Sequence, residues 1–286
     1  MGLNARRWMR RILPTPLRLH IVVVRRAWRD RRAGTVFAAR SSRDEEFPQV
    51  VSCYQRAFID YPGQERLAQA KRKNQALLAA KLDGVVISPG ETFSVWRLAP
   101  RPTTAGGYAP AAALKNRALT TEVGGAICLL STVLYNVALL GGMRIVERHA
   151  HSVDSYGDRR YFELGRDAAI EFGYLDLRFA NPHAFAVQLR VKVTEEAVLG
   201  SLHAAERPCL RVRLEVTAPE VIPAPTQVVR DPYLPPGTQR VVADGMAGLR
   251  VRTTRVTCFA DSRYVEEDLG VTVHNAVPWV IAVSTA

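Results

Sequence analysis

The sequence predicts an α+β protein in which a buried central helix packs on a mostly antiparallel sheet, followed by a β-rich C-terminal module. Residues 128–140 are apolar nearly all round a helix, which is typical of a helix inside a core. Short β-type segments bounded by Gly, Pro and Asp turns dominate from residue 143 onward. Because 48% of the 286 residues are hydrophobic, the chain can bury a sizeable core.

The segment before the central helix predicts its packing partners. Apolar residues at helical spacing over residues 64–82 indicate an amphipathic helix, which Asp83 and Gly84 end. Residues 85–87 and 92–96 are expected to form short strands around a Pro-Gly turn. Residues 99–122 are rich in Pro and Gly and predict a long loop, which either shapes a substrate groove or only connects two elements.

The segment after the central helix predicts strands separated by polar turns. These strands are expected at residues 144–153, 161–164, 168–179, 184–194, 250–259, 264–274 and 279–283. Six prolines between residues 219 and 236 exclude a central strand there and favour an exposed connection or edge. The predicted domains are a basic N-terminal arm (1–46), an α+β domain (47–195) and a β-rich module (196–286).

The net charge of +12 is concentrated at the N-terminus. Residues 1–43 contain twelve Arg and one Asp, whereas the rest of the chain has 27 basic and 26 acidic residues. A nucleic-acid-binding body would carry a basic patch with interleaved aromatic residues. The near-neutral body therefore argues against a nucleic-acid partner.

The basic arm contains apolar runs of only about six residues. A membrane-spanning helix needs roughly 20 such residues and a signal peptide roughly 7 to 15, so neither is expected in ordinary form. Two interpretations of the arm stay open. It either lies on an anionic membrane surface, to which each Arg adds about 1 kcal/mol, or it is a solvated basic extension.

The cysteine content predicts no disulfide framework, because four cysteines in a chain of this length are too few. Pairing of Cys209 with Cys258 in the β-rich module stays open. No cofactor is expected.

The stretch around Cys128 has the features of a nucleophilic site. Gly124 and Gly125 permit backbone conformations closed to other residues and allow a substrate to approach the main chain. Cys128 then begins the apolar helix, where unpaired amides and the helix dipole stabilise a thiolate. The same amides suit an oxyanion formed during acyl transfer.

Two histidines follow the central helix. In a strand over residues 144–153, Glu147, His149 and His151 share one face. His151 is the favoured base toward Cys128, His149 is the second candidate, and a carboxylate or carbonyl would orient the imidazole. Ser152 and Asp154 are candidate supporting groups.

Two other interpretations of these side chains stay open. Cys128, His149 and His151 resemble a metal-ligand set, because His-x-His on a strand is a common ligand pair. Alternatively, the cysteine and the histidines are structural.

Three further residues are candidates for substrate binding. Tyr135 lies seven residues after Cys128, on the same face of the predicted helix, although core packing also explains it. Arg166 and Asp167 occupy a turn after a predicted strand. Arg166 suits bidentate binding of a substrate carboxylate, and Asp167 either binds substrate or caps the turn.

The sequence resembles the VanW family over more than a third of its length. The matching motifs occur in one fixed order: residues 74–81, Leu82-Asp83-Gly84, Pro89 to Ser94, Gly106-Gly107-Tyr108, Gly124 to Cys128, Leu134-Tyr135-Asn136, Val146 to Ser152, Gly165 to Ala168, and Asp176 to Asn181. The sequence departs from the family pattern at two positions. Ala126 stands where a third glycine is usual, and Leu129 stands where a glutamine follows the cysteine.

The resemblance implies a cell-envelope role and, for some members, an L,D-transpeptidase activity through a cysteine acyl-enzyme. Cys128 would be the nucleophile, His151 or His149 the base, and a peptidoglycan stem peptide or precursor the partner. The alternative is a non-catalytic vancomycin-resistance accessory protein that binds an envelope precursor or a partner.

Overall fold

The structure is a computed structural model that describes residues 14–40, 47–60, 62–115, 118–206, 208, 210–259 and 263–285. It contains helices and mainly antiparallel sheets, and a β-rich part forms its C-terminal third. The prediction of an α+β fold with a β-rich C-terminal module is therefore confirmed.

The helices are α1 (Thr15–Arg32), α2 (Glu65–Leu82), α3 (Val95–Leu98) and α4 (Cys128–Leu140), with a 3-10 turn at Gly157–Arg159. The strands are β1 (Ala39–Arg40), β2 (Gln49–Ala57), β3 (Val85–Ile87), β4 (Thr92–Ser94), β5 (Pro110–Lys115), β6 (Ala118–Val123), β7 (Arg144–Glu147), β8 (Arg178–Ala180), β9 (Val187–Val193), β10 (Ala197–Ala204), β11 (Leu210–Val216), β12 (Glu220–Ile222), β13 (Thr226–Asp231), β14 (Gln239–Ala243), β15 (Gly248–Phe259), β16 (Tyr264–His274) and β17 (Trp279–Ser284).

The core lies between α4 and a five-stranded antiparallel sheet of order β1-β3-β9-β10-β2. Alternate residues of β10 are buried, as expected for a strand with one covered face. Gly200 in this strand allows α4 to approach, because a Cβ there would lie 3.0 Å from Val133 Cγ1. The predicted buried central helix is thus confirmed, and it begins at Cys128.

The C-terminal module consists of two sheets. Strand β15 pairs along one edge with β16 and along the other with β11 and β12. The second sheet has the order β13-β17-β14. The proline-rich segment contributes only the edge strands β12 and β13, which confirms that it holds no central strand.

The long loop predicted over residues 99–122 is wrong in its second half. Strands β5 and β6 form an antiparallel hairpin that leads directly into the glycine loop before α4. Pro110 is compatible with this strand because it occupies the first position, where its missing N–H is tolerated.

The strands predicted after α4 are too long. Strand β7 ends at Glu147, residues 161–164 form no strand, and only Arg178 and Phe179 of the predicted 168–179 strand belong to β8. Side chains replace the ladder hydrogen bonds here. For example, the amide of His151 donates to the carboxylate of Asp167 over 2.7 Å. The backbone of these segments is held by hydrogen bonds to side chains, so it does not adopt the regular conformation of a strand.

The described part of the basic arm is not a free extension. Helix α1 docks on the body through Arg26, which pairs with Glu147 and Asp176, and through Asp30, which pairs with Arg178. None of the described helices combines the length and the apolar character that crossing a membrane requires. Residues 1–13 and 41–46 of the predicted arm lie outside the described residues, as does Cys209, whereas Cys258 is an exposed free thiol.

Replacing Ala126 with Gly should stabilise the protein. Ala126 has a φ of 66°, a left-handed conformation that costs a residue with a Cβ about 1–2 kcal/mol. Because Gly loses more backbone entropy on folding, by about 0.5–1 kcal/mol, we expect a net gain of about 1 kcal/mol in the free energy of unfolding. Urea denaturation measures this change.

The matched control is Ala76→Gly, at an exposed position within α2. That substitution should destabilise the protein by about 1 kcal/mol, because Gly is a poor helix former. A destabilisation of equal size at both positions would contradict the expected strain at Ala126.

Candidate functional site

Cys128 is the first residue of α4, directly after the glycine loop. Cys128 is half-buried. The thiol lies 3.8 Å from the backbone carbonyl of Ile170, which accepts its hydrogen bond. Within the described residues, no side chain caps the start of α4. The thiol therefore lies beside the positive end of the helix dipole.

Gly124 and Gly125 shape the loop that delivers Cys128. Gly124 has a φ of +77°, and a Cβ at Gly125 would lie 2.2 Å from the carbonyl oxygen of Ala111 in the neighbouring hairpin. Both positions therefore require glycine. The predicted substrate-binding role of the two glycines stays a prediction.

Two buried amides of α2 hold this loop. Asn74 Nδ2 donates to the carbonyl of Gly125 over 3.0 Å, and Gln75 Nε2 donates to the carbonyl of Ala126 over 2.5 Å. Both side chains are fully buried. The sequence does not predict these contacts, because polar residues on an amphipathic helix do not indicate which distant loop they bind.

His151 is hydrogen-bonded to Asp167 and lies near enough to Cys128 for the two side chains to interact. Its imidazole interacts with the thiol of Cys128, and its Nδ1 lies 2.7 Å from Oδ2 of Asp167. The same carboxylate oxygen accepts the backbone N–H of His151 over 2.7 Å. Asp167 therefore orients both the ring and the main chain of His151. A thiol, an imidazole and a carboxylate in this order are the groups that nucleophilic thiol chemistry uses.

Asp167 has no solvent-exposed side-chain surface. Its second oxygen, Oδ1, accepts a hydrogen bond from Arg148 Nη2 over 2.8 Å, and Arg148 Nε donates to its backbone carbonyl over 2.6 Å. A buried carboxylate is tolerated only when its charge is compensated in this way.

The polar side chains of α4 attach the Asp167 segment to the helix. Ser131 Oγ donates to the carbonyl of Ala168 over 2.6 Å, and Thr132 Oγ1 accepts the amide of Ala168 over 3.0 Å. Asn136 donates to the carbonyl of Arg166 over 2.9 Å. One helix therefore carries Cys128 and also positions the carboxylate that orients its partner.

Aromatic side chains cover the imidazole. The Tyr161 hydroxyl lies 3.2 Å from His151 Nε2, and the ring of Phe162 stacks on His151 at a centroid distance of 5.8 Å. Burial raises the pKa of Tyr161 well above its usual range, so its hydroxyl stays protonated.

The site holds a charged imidazole beside a charged carboxylate. Burial by itself lowers the pKa of His151, but hydrogen bonds to Asp167 and Cys128 raise it to about 10. Burial likewise opposes ionisation of Asp167, whereas the hydrogen bond from His151 and the charge of Arg148 bring the pKa of this carboxyl down to about 2. Both groups are therefore ionised at neutral pH.

Three other predicted residues lie away from the thiol's contacts. His149 Nε2 lies 2.9 Å from Glu147 Oε1, in the cluster that docks α1, because β7 ends at Glu147 and no strand aligns the two histidines. Tyr135 is buried, and the Arg148 guanidinium lies 5.2 Å from its ring centre. Arg166 Nε donates to Asn136 Oδ1 over 2.7 Å.

The carboxylate hydrogen-bonded to His151 is that of Asp167, and Asp154 has other partners. Asp154 pairs with Arg160 and accepts the amide of Tyr156. In the described part of the chain, no group of three or more His, Cys, Asp or Glu side chains has a metal-binding arrangement.

Comparison with known protein families gives two matches. The VanW-like protein family matches residues 70–203, which include Cys128, His151 and Asp167, and the G5 domain family matches residues 213–286.

The chain is also similar to individual proteins. It is 34% identical over 136 residues to the vancomycin B-type resistance protein VanW of Enterococcus faecalis, covering 47% of this chain and 50% of that protein. It is 30% identical over 155 residues to the uncharacterized protein YoaR of Bacillus subtilis, covering 54% and 50%. The chain thus spans about half the length of these curated relatives.

A solved structure, the G5 domain of an IgA1 protease, matches 28% of this chain and 94% of its own length, with 22% identity and a TM-score of 0.22. Residues 70–203 therefore form a VanW-like domain, and residues 213–286 form a C-terminal G5 domain.

Proposed function

We propose that this protein is a cysteine-dependent acyltransferase of the L,D-transpeptidase type that acts on peptidoglycan stem peptides. The observation that carries the proposal is the buried hydrogen bond between Asp167 and His151, an imidazole whose pKa is also raised by the neighbouring Cys128 thiol. A thiol, a base and an orienting carboxylate are the parts that thiol acyl transfer requires.

In the first step, the Cys128 thiolate attacks the carbonyl carbon that precedes the terminal D-alanine of a tetrapeptide stem. A sulfur–carbon bond forms and the carbon–nitrogen bond to D-alanine breaks. The imidazolium of His151 gives its proton to the leaving amine. D-alanine departs, and the peptide remains on Cys128 as a thioester.

In the second step, an amine of a second stem peptide attacks the thioester. A carbon–nitrogen bond forms, the sulfur–carbon bond breaks, and the neutral imidazole of His151 takes the proton that the amine loses. Cys128 is thereby released from the peptide, and the imidazole of His151 is protonated again. Throughout the cycle Asp167 keeps Nδ1 of His151 protonated, so that Nε2 is the atom that exchanges the proton.

Two features support an envelope substrate. G5 domains are known to bind glycan or peptidoglycan-like ligands, which fits a partner in the cell envelope. The matched curated relative is named for vancomycin resistance. The rival function, a non-catalytic accessory protein that binds an envelope precursor, uses the same partner without the thiol chemistry.

The proposal predicts that the purified protein releases D-alanine from a tetrapeptide stem. Cys128→Ala should abolish the release, because no thioester can form. Asp167→Asn should lower the rate by roughly 10²–10⁴-fold, since the base loses its orienting carboxylate. Chromatographic quantification of free D-alanine measures both effects.

Cys53→Ala is the matched control, because this exposed cysteine lies on β2 outside the proposed site and should leave the rate unchanged. Release that persists in Cys128→Ala would eliminate the proposed nucleophile. Absence of release by the folded wild-type protein would favour the accessory function.

We also propose that the outward face of α1 binds an anionic membrane surface. Leu17, Val24 and Trp28 are 46%, 51% and 58% exposed, and their spacing places them along one side of the helix. The side chains of Arg29 and Arg31 are exposed in the last turns. Apolar side chains beside arginines suit the interface of an anionic bilayer.

The protein should therefore bind vesicles containing anionic phospholipid more tightly than neutral phosphatidylcholine vesicles, as measured by co-sedimentation. Each of Arg29→Ala and Arg31→Ala should weaken this binding roughly fivefold, which corresponds to about 1 kcal/mol per arginine. The control is Arg213→Ala in β11, an exposed arginine far from this face in sequence. Equal binding to both kinds of vesicle would refute the proposal.

A further inference from the structure

Strand β16 of the G5 domain places two side chains against the site of the VanW-like domain. Thr272 and His274 are two residues apart, so they point to the same face of the strand. Both are buried, whereas Val271 on the opposite face is 49% exposed. The buried face is turned toward the residues that hold His151.

Thr272 reaches the site through Arg148. Its Oγ1 accepts a hydrogen bond from Arg148 Nη1 over 2.9 Å. The other guanidinium nitrogens of Arg148 donate to Asp167, which orients His151. Because a guanidinium is planar and rigid, the hydroxyl of Thr272 helps to fix the direction in which Arg148 presents its remaining donors.

His274 reaches the site through Phe162. Its ring stacks on Phe162 at a centroid distance of 5.5 Å, and Phe162 stacks on His151 at 5.8 Å. The imidazole of His274 is fully buried, its Nε2 lies 3.8 Å from Asp167 Oδ1, and neither ring nitrogen makes a hydrogen bond with the described residues. Burial lowers the pKa of His274, so the ring is neutral and does not compete with His151 for the carboxylate.

Further contacts hold β15 and β16 against the VanW-like domain. The amide and the side chain of Asn275 both donate to the carbonyl of Ser152 over 2.8 Å, one residue after His151. On β15, the buried side chain of Arg255 donates to the carbonyl of Met143 over 2.7 Å and approaches that of Leu139, at the C-terminal end of α4. A cation at this end of the helix is favourable.

We infer that the G5 domain completes the candidate active site, with Thr272 and His274 as positioning residues for Asp167 and His151. The inference rests on the proposed function, because it concerns the groups that activate Cys128. The VanW-like domain supplies the reacting groups, and the G5 domain supplies the outer support that keeps the imidazole aimed at the thiol.

The test measures how the rate of alkylation of Cys128 by iodoacetamide in the full chain depends on pH. Peptide mass spectrometry monitors the reaction, because it distinguishes Cys128 from the exposed Cys53 and Cys258. Thr272→Val and His274→Ala should each slow alkylation at about pH 6 by roughly tenfold, within the roughly hundredfold that a 1 Å misplacement can cost. His274→Phe keeps a stacking ring and should restore the rate to within about twofold of wild type. Val271→Ala, on the opposite face of the same strand, should leave the profile unchanged.

The inference is overturned if Thr272→Val and His274→Ala, both folded by circular dichroism, alkylate with the wild-type profile. If His274→Ala does not fold, Thr272→Val decides, because Val and Thr have nearly the same shape. If Cys128 is alkylated as slowly in His274→Phe as in His274→Ala, the claim that His274 acts by stacking on Phe162 is overturned. Failure of the proposed function is distinguishable, because it appears as absent D-alanine release whatever the alkylation profile.

Discussion

The structure depends on one buried interaction, the pairing of the Asp167 carboxylate with His151. A carboxylate without solvent contact is costly unless every lone pair finds a donor. Here the donors are the ring and amide of His151 and the guanidinium of Arg148. Satisfying the carboxylate therefore fixes the main chain at residue 151 and the direction of the imidazole at the same time.

This constraint explains why the site segments are irregular. Strand pairing is absent from residues 148–151 and 165–170, because backbone groups of these segments bind side chains of α4 and of each other. Ser131, Thr132 and Asn136 lie on the same helix as Cys128, so the helix is both the carrier of the thiol and the template for the carboxylate. The distances among the three site residues are thus set by one rigid element.

The charge of the protein is organised in the same manner. Glu147 forms hydrogen bonds with His149 and Arg26. Burial alone would raise the pKa of Glu147, but these two hydrogen bonds lower it to about 2. This cluster docks α1 on the body, while the arginines on the outer face of α1 remain at the surface. Helix α1 therefore has an inner face that is part of the fold and an outer face that is exposed.

Much of this arrangement was predictable from the sequence. The apolar run of residues 128–140 predicted α4, and the glycine pair before Cys128 predicted the turn that delivers it, because both signals are local. The sequence marks Asp167 as a candidate without indicating its partner, because the contact between residues 151 and 167 follows no periodic pattern. The assumed strand over residues 144–153 misplaced His149 for the same reason. The support from Thr272 depends on how two domains pack, which lies beyond any local signal.

We expect Asp167 and Cys128 to hold His151 as an imidazolium. Nitrogen-15 NMR of the histidine rings across a pH titration measures this directly, with His151→Gln used to assign the signal. Since its pKa is raised in the folded state, His151 should keep both ring protons through neutral pH and lose one only as the pH approaches about 10. In Asp167→Asn the transition should move to lower pH. A wild-type transition near 6.5, the ordinary value for histidine, would contradict the account.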